Sequence, residues 1–181
     1  IDMHCWQHFV VTAALSSNDE KFIDFARASA LPAIYISKLK PETSGIPKPP
    51  CTLGMLFEAT GRLAFDMEFS GQYVIYEKEV VRGVRMLKNC SKYLGMFRGK
   101  PEGLDETVIF KDKNAKEVTV TAPENGLFVE NGLSNGDYVK KGSLLGIIFS
   151  DRTLKTVNIK APIDGYLYSY GHNRRLCDVD L

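Results

Sequence analysis

The stretch Arg62-Leu-Ala-Phe-Asp-Met-Glu-Phe69 is a short apolar run between Gly61 and Gly71. A run of this length between glycines predicts a buried β-strand in an α/β fold. It nevertheless contains two carboxylates, Asp66 and Glu68, whose two-residue spacing places them on one face of the strand. Because burying an unpaired carboxylate is unfavourable, these groups are hydrogen-bonded, ion-paired or used in chemistry, or they lie at a solvated strand end.

Length and composition limit the classes of protein to consider. The chain has 181 residues, 44% of them hydrophobic, which is enough for one ordinary domain with a core and a small second domain. Its 23 Lys and Arg against 22 Asp and Glu give a net charge of +1 without a block of like charge, so neither nucleic acid nor a membrane is an expected partner. No run approaches the ~20 apolar residues of a membrane span, and the N-terminus has no signal-peptide pattern, so we expect a cytoplasmic protein. The four cysteines form no C-x-x-C pair, which predicts reduced thiols.

The first third of the chain contains two predicted strands and a helix. Ile1–Trp6 alternates apolar and polar residues, which is typical of the end of a strand. The capping-box spacing within Ser17–Glu20 predicts a helix at about residues 18–30. An apolar run at residues 31–36, started by a proline, predicts a buried strand. The four prolines within residues 37–50 predict a long loop.

Two further helices are predicted on either side of the strand that contains Glu68. Thr52 is positioned to cap the first, which ends at Gly61. A longer helix is ended by Gly95, and its apolar stripe predicts a core-facing surface made by Val80, Val84, Leu87, Cys90, Ser91 and Leu94. This order of strands and helices predicts an α/β domain with a parallel or mixed sheet covered by helices.

The periodicity changes in the second half of the chain. Residues 98–105 are rich in Gly, Pro and charge and predict a linker. Residues 106–181 contain short alternating runs separated by turn residues, which predicts a small all-β domain. An internal repeat relates Val120–Phe128 to Ile159–Leu167, and both copies contain Ala-Pro followed by a glycine. Such a repeat is typical of two half-sheets related by a pseudo-twofold axis.

This β domain resembles the barrel-sandwich hybrid fold of biotinyl and lipoyl carrier domains. The resemblance rests on Gly-Asp-x-Val-x-x-Gly-x-x-Leu at Gly136–Leu145. Carrier domains display one lysine at the tip of the hairpin between their halves, where this chain has Lys155 without the usual flanking residues. A carrier domain modified at Lys155 is therefore one alternative for the function.

A broader resemblance covers almost the whole chain. Asp2-Met-His4 is similar to the Asp-Leu-His motif of the succinylglutamate desuccinylase/aspartoacylase family, which belongs to the zinc carboxypeptidase superfamily. Phe65–Gly71 is similar to that family's strand, which ends in a glutamate followed by a glycine. The order of these motifs, followed by a long helix and a barrel-sandwich domain, also matches. Residues 1–97 would then be the C-terminal part of a zinc-hydrolase-like α/β domain.

The resemblance implies zinc chemistry at the two motifs. In that family the motif histidine is the third zinc ligand and the glutamate is the general base, so His4 would bind zinc and Glu68 would accept a proton. Asp2 would orient the imidazole from behind, and Asp66 is a weaker candidate for the same supporting role. Zinc bound by three protein ligands lowers the pKa of a bound water to about 7 and polarises a carbonyl.

The sequence departs from the family in one respect. The other two zinc ligands, in an H-x-x-E motif, and the Asn-Arg pair that binds the substrate carboxylate lie upstream of the Asp-x-His strand in the family. No H-x-x-E occurs in this sequence, so the remaining ligands of the one implied zinc site are expected upstream of Ile1. Either residues 1–181 are part of a longer protein, or the chain is a remnant with an incomplete site. Exposed sheet edge and apolar surface would then favour a homo-oligomer or association with the missing N-terminal half.

Two functions of different classes therefore lead. The first is a zinc-dependent hydrolase that cleaves an amide or ester bond of a small acylated amino acid or related carboxylate. The second is a non-catalytic interaction module or scaffold that retains the fold without the metal. Because one fold hosts unrelated chemistries, the resemblance by itself does not choose between them.

Overall fold

The computed structural model describes residues 1–5, 11–36, 52–71, 74–106, 109–111, 116–169 and 175–176. The chain divides into two compact units, residues 1–115 and residues 116–181, which are described separately below. The loop predicted at residues 37–50, together with His8 and His172, lies outside the described residues. No helix within the described ranges is long and apolar enough to cross a membrane.

The first unit is built on a five-stranded mixed sheet. Its spatial order is β1-β4-β2-β3-β5, so the strand that contains Glu68 lies inside the sheet. This strand, β4, pairs in parallel with β1 and antiparallel with β2. The strands are β1 (Asp2–Cys5), β2 (Ala13–Ser16), β3 (Ala33–Ile36), β4 (Asp66–Phe69) and β5 (Ile109–Lys111). Strand β2 was not predicted, although it lies in an apolar run of the kind that forms buried strands.

Three α-helices accompany this sheet: α1 (Glu20–Ala28), α2 (Leu53–Ala59) and α3 (Glu77–Tyr93). Helix α2 begins as predicted, because the Thr52 hydroxyl accepts a hydrogen bond from the amide of Met55. Helix α1 is shorter than the predicted 18–30, because Asp19 rather than Ser17 is its N-cap and accepts from the amide of Lys21. Gly95 follows α3 with a φ of +72°, a left-handed conformation suited to glycine.

The core of the first unit lies between the sheet and helices α1 and α3. Phe25 from α1 packs against Phe65 from the lead-in to β4, with ring centroids 5.2 Å apart. Other fully buried members of this core are Leu31, Ile34, Met67 and Met86. Because Met67 lies between Asp66 and Glu68 in β4, the apolar face of that strand is fixed in the core while the two carboxylates lie on the other face.

Cys90 of the predicted apolar stripe of α3 is buried as expected, but most of the stripe does not form a core surface. Four of its members are exposed: Val80 by 52%, Val84 by 48%, Leu87 by 43% and Leu94 by 48%. The buried face is instead formed by Glu79, Gly83, Met86, Asn89 and Cys90. Periodicity missed this face because the polar Glu79 and Asn89 are satisfied by hydrogen bonds, and because Gly83 lets the helix approach the Phe69 ring closely.

The second unit consists of antiparallel β-strands, and its described residues contain no helix, which agrees with the all-β prediction. Its four-stranded sheet has the order β11-β6-β8-β9, and β7 pairs with β10 in a two-stranded sheet. The strands are β6 (Gly126–Glu130), β7 (Tyr138–Val139), β8 (Leu144–Ser150), β9 (Thr156–Lys160), β10 (Gly165–Tyr166) and β11 (Arg175–Leu176). The first repeat copy contains the start of β6 in the four-stranded sheet, whereas the second contains the end of β9 in that same sheet and β10 in the two-stranded sheet.

The boundary between the units differs from the predicted one. The sequence places a linker at residues 98–105, whereas the first unit extends to residue 115 because β5 pairs with β3. The residues of the predicted linker are also attached to α3. The Asn89 side chain donates to the carbonyl of Glu102 at 2.8 Å and accepts from its amide at 3.0 Å.

Candidate active site

The parallel pairing of β1 and β4 brings the four candidate residues together. His4 lies directly opposite Glu68, and Asp2 lies opposite Asp66. Partners in register on neighbouring strands point to the same side of a sheet. All four residues therefore share one face, with His4 and Glu68 nearest the carboxyl ends of their strands, where α/β sheets place their sites.

The His4 imidazole is half exposed and is held by Asp2. The two side chains form an ion pair in which His4 Nε2 is 3.0 Å from Asp2 Oδ2. This hydrogen bond is the largest effect on His4 and raises its pKa above the ordinary value. Burial lowers the pKa by less than the hydrogen bond raises it, and the negative charges of Asp2, Glu68 and Asp66 raise it further. With Nε2 bound by a carboxylate, Nδ1 is the nitrogen left to contact another group.

The Glu68 carboxylate is half buried and incompletely paired. Its Oε2 atom is buried and has no hydrogen-bond partner among the described residues. Burial raises the pKa of Glu68, and the nearby charges of Asp66 and Asp2 add to the rise, while His4 opposes it. A carboxylate with a raised pKa and a free oxygen beside an imidazole has the properties of a general base.

Asp66 has a different environment from Glu68, two residues away. It is buried, and its Oδ1 atom accepts a hydrogen bond from the amide of Gly54 at 2.9 Å. Gly54 lies in the first turn of α2, and a Cβ atom there would come within 2.3 Å of that oxygen. Asp66 therefore fixes α2 to the start of β4, and this contact occupies one of its oxygens.

A second buried carboxylate, Glu58 of α2, lies near the other end of β4. Its Oε1 atom accepts a hydrogen bond from the amide of Ser17, which follows β2, at 3.3 Å. Burial raises the pKa of Glu58, the hydrogen bonds to Ser17 lower it, and the charges of Asp66 and Asp19 raise it further. Sequence analysis did not single out this residue, because an isolated glutamate on a short helix has no distinguishing pattern.

We expect Glu58→Gln to stabilise the protein at neutral pH. Because the folded-state pKa of Glu58 is above the unfolded value of 4.5, the native state binds the extra proton, and the free energy of unfolding of the wild type falls as pH rises through that range. The glutamine has no such titration and retains an oxygen for the amide of Ser17. Urea unfolding from pH 3 to 8 should show the variant more stable at pH 7 and equal to the wild type below about pH 4. A constant difference at every pH would contradict this assignment.

The described residues do not by themselves complete a zinc site. They contain no group of three His, Cys, Asp or Glu side chains that could share a metal ion. His4 is the one histidine in the described ranges, and its partner Asp2 matches the carboxylate–histidine arrangement that orients metal ligands. The geometry of His4 therefore fits one ligand of a zinc site. The other ligands of such a site would be residues outside the described part of the chain.

Two polar residues that sequence analysis missed lie beside the end of β4. The Thr12 hydroxyl accepts a hydrogen bond from the amide of Ser70 at 3.0 Å and donates to Glu79 Oε2 at 2.6 Å. Thr12 and Glu79 are both buried. Both residues are polar and occupy positions that the pattern of their neighbours predicts to be buried. Such residues could have been singled out from the sequence, because a buried polar side chain needs a hydrogen-bond partner.

Lys155 lies in the second unit, in the turn that joins β8 to β9. Its side chain is exposed, and its carbonyl accepts from the amide of Ser150 at 2.9 Å, which closes the turn. Leu154 precedes it with a φ of +57° and is 85% exposed. The lysine is thus exposed in a hairpin turn, and the carrier alternative stays a prediction.

Comparison by sequence finds no match: no family model and no curated protein matches this chain. Comparison by structure finds several. The apo Ectoine utilization protein EutE (DoeB) from Ruegeria pomeroyi has a TM-score of 0.68 at 19% identity, over 98% of this chain and 56% of that one. A succinylglutamate desuccinylase/aspartoacylase from Rhodobacter sphaeroides has a TM-score of 0.65 at 18% identity, over 98% and 56%. An aspartoacylase family protein from Mesorhizobium loti has a TM-score of 0.57 at 19% identity, over 97% and 54%.

These similarities establish a shared fold. They support the predicted mixed α/β architecture, and the matched structures include members of the family that the motifs of β1 and β4 resemble. This chain spans about half the length of the solved structures that it matches, with 56% of the first two covered. Because identities below 20% permit different chemistries on one fold, the activity has to be argued from the site.

Proposed function

We propose that this chain, which has the fold of about half of a succinylglutamate desuccinylase/aspartoacylase structure, belongs to a zinc-dependent hydrolase. Its substrate would be a small acylated amino acid or a related carboxylate, cleaved at an amide or ester bond. The second unit would be a barrel-sandwich domain that follows the catalytic one in the chain. The observation that supports the proposal most is the register of β1 and β4, which pairs His4 with Glu68.

The roles of the residues follow from their environments. Glu68 accepts a proton from the attacking water, because its pKa is raised and its Oε2 atom has no hydrogen-bond partner among the described residues. The same carboxyl then delivers the proton to the leaving amine or alkoxide. Asp2 holds the His4 imidazole in one orientation and tautomer through Nε2, which leaves Nδ1 to bind the metal ion.

The proposed reaction needs zinc, and the described residues supply only part of its ligand set. When bound, it supplies polarisation of the scissile carbonyl and a water of lowered pKa. His4 would be one of its ligands, and the remaining ones are expected from residues upstream of Ile1, as in the family that the motifs resemble. Asp2 next to His4 would raise the basicity of the imidazole and strengthen its bond to the metal.

Elemental analysis of the protein purified without chelator tests the metal assignment. We expect about one zinc per chain when the complete ligand set is present, a value typical of a catalytic site. His4→Ala should release the zinc, whereas Glu68→Gln should retain it, because the proposed base is not a ligand. Zinc retained in His4→Ala would remove His4 from the ligand set, and zinc lost in Glu68→Gln would make Glu68 a ligand.

A non-catalytic scaffold is the second candidate, and one observation favours it. The apolar side chains of Val80, Val84, Leu87 and Leu94 on α3 are exposed, and such a row can bind a partner. In that case His4 and Asp2 form an ordinary surface ion pair, and the protein binds no zinc at any pH. Absence of zinc together with absence of hydrolysis of acylated amino acids would support the scaffold over the enzyme.

A further inference from the structure

A buried chain of hydrogen bonds joins the end of β4 to helix α3. The amide of Ser70 donates to the Thr12 hydroxyl at 3.0 Å, and that hydroxyl donates to Glu79 Oε2 at 2.6 Å. The other carboxylate oxygen of Glu79 pairs with the guanidinium of Arg82, one turn further along α3. Thr12 is thus both acceptor and donor, and both oxygens of Glu79 are occupied.

This chain of hydrogen bonds lies immediately beside Glu68. Ala13 pairs with Glu68 across β2 and β4, so Thr12 immediately precedes β2 on that side, and Ser70 is two residues beyond Glu68. Between them, the Phe69 ring packs on Gly83 of α3 so closely that a Cβ atom there would lie 2.7 Å from the ring. Helix α3 therefore contacts Phe69 directly and is linked to Ser70 through Thr12.

The backbone has particular importance at this point because the Glu68 side chain is weakly held. Its Oε2 atom has no hydrogen-bond partner among the described residues. The Cα–Cβ bond from which the Glu68 side chain extends is fixed by the backbone, so the position of the carboxylate depends on the conformation of the strand end. β4 ends at Phe69, so the Ser70 amide lies beyond the strand pairing and donates its hydrogen bond to a side chain instead.

We propose that Thr12 and Glu79 are positioning residues for Glu68, acting through the Ser70 amide that Thr12 binds. The inference rests on the proposed function, because positioning has a kinetic consequence only if Glu68 is the base. A valine at residue 12 keeps the shape of threonine but can neither accept from Ser70 nor donate to Glu79. Displacement of a catalytic group by about 1 Å costs on the order of 100-fold in rate.

Three variants of the full chain test the proposal. Thr12→Val should lower kcat for amide hydrolysis by about 10- to 100-fold with KM little changed, because the loss is in placing the base. Thr12→Ser retains the hydroxyl and should restore most of the activity. Ser29→Ala is the matched control, since Ser29 is also fully buried and its hydroxyl bonds Ala26 and Leu31 at the end of α1.

The control separates positioning from general loss of stability. Ser29→Ala should lower Tm and leave kcat unchanged, whereas Thr12→Val should lower both. Wild-type kcat in Thr12→Val, equal loss of kcat in Ser29→Ala, or failure of Thr12→Ser to restore activity would each overturn the proposal.

A second measurement is independent of catalysis. Amide hydrogen exchange followed by NMR should show faster exchange of the Ser70 amide and shifted resonances at Glu68 and Phe69 in Thr12→Val, with wild-type behaviour in Thr12→Ser. Absence of hydrolysis by the wild type would refute the proposed function, while unchanged exchange at Ser70 in Thr12→Val would refute the positioning role. The two failures are therefore distinguishable.

Discussion

Glu68→Gln is expected to lower hydrolytic activity by about 10²- to 10⁴-fold, the range usual for a general base. Glutamine has the size of glutamate but cannot accept the proton of the attacking water. The expected kinetic result is a fall in kcat with little change in KM, because the base acts in the transition state. The activity is measured with N-acylated amino acids as substrates, by detecting the free amine that hydrolysis releases.

The matched control for this variant is Glu102→Gln. Glu102 also lies in the first unit and pairs with Lys92, but its carboxylate is exposed and belongs to no candidate site. It should retain wild-type kcat, and both variants should retain the wild-type circular dichroism spectrum. Undiminished activity in Glu68→Gln, in a protein that does hydrolyse the substrate, would remove Glu68 from the mechanism.

Met86→Ala is expected to cost about 2–5 kcal/mol of unfolding free energy, whereas Leu87→Ala should cost no more than about 1 kcal/mol. Met86 is fully buried in the same core cluster as Phe65 and Met67, while its neighbour Leu87 is 43% exposed on the same helix. The two substitutions delete side chains of similar size from adjacent helical positions, so helix propensity contributes little to the difference. Urea unfolding monitored by circular dichroism provides both values.

The opposite order would indicate that the apolar stripe of Val80, Val84, Leu87 and Leu94 is covered in solution. A loss of several kcal/mol in Leu87→Ala would mean that another segment or another molecule packs on this side of α3. Sedimentation of the wild type and of Leu87→Ala at several concentrations would then separate self-association from a contact within one molecule.

Much of the α/β unit could be predicted from local patterns. Thr52 caps α2 and Gly95 ends α3 because capping and left-handed turns depend on a few neighbouring residues. The strand containing Asp66 and Glu68 could also be found, because an apolar run between glycines has few other stable arrangements. The site residues themselves were located through motifs, since His4 and Glu68 lie 64 positions apart and no local rule relates them (68 − 4 = 64).

Other features required the folded chain. The α3 stripe was predicted to be buried because the periodicity considers only apolar side chains. It contains no information on the hydrogen bonds that Glu79 and Asn89 form inside the protein. The linker at residues 98–105 was predicted from composition, whereas the pairing of β5 with β3 extends the first unit beyond it. The composition of residues 98–105 does not indicate the pairing of β5 with β3, because that pairing joins segments far apart in the sequence.

The sequence by itself determined which segments become strands and helices, because those choices depend on side-chain periodicity, capping residues and glycines within a few positions of one another. Only the tertiary structure decided that His4 faces Glu68, that Asp66 holds α2, and that Thr12 connects Ser70 to Glu79. These relations depend on strand order and register, which are set by how the whole sheet buries its apolar faces. The chemistry of the candidate site is therefore a property of the assembled sheet, although each of its residues belongs to a locally predictable element or its flank.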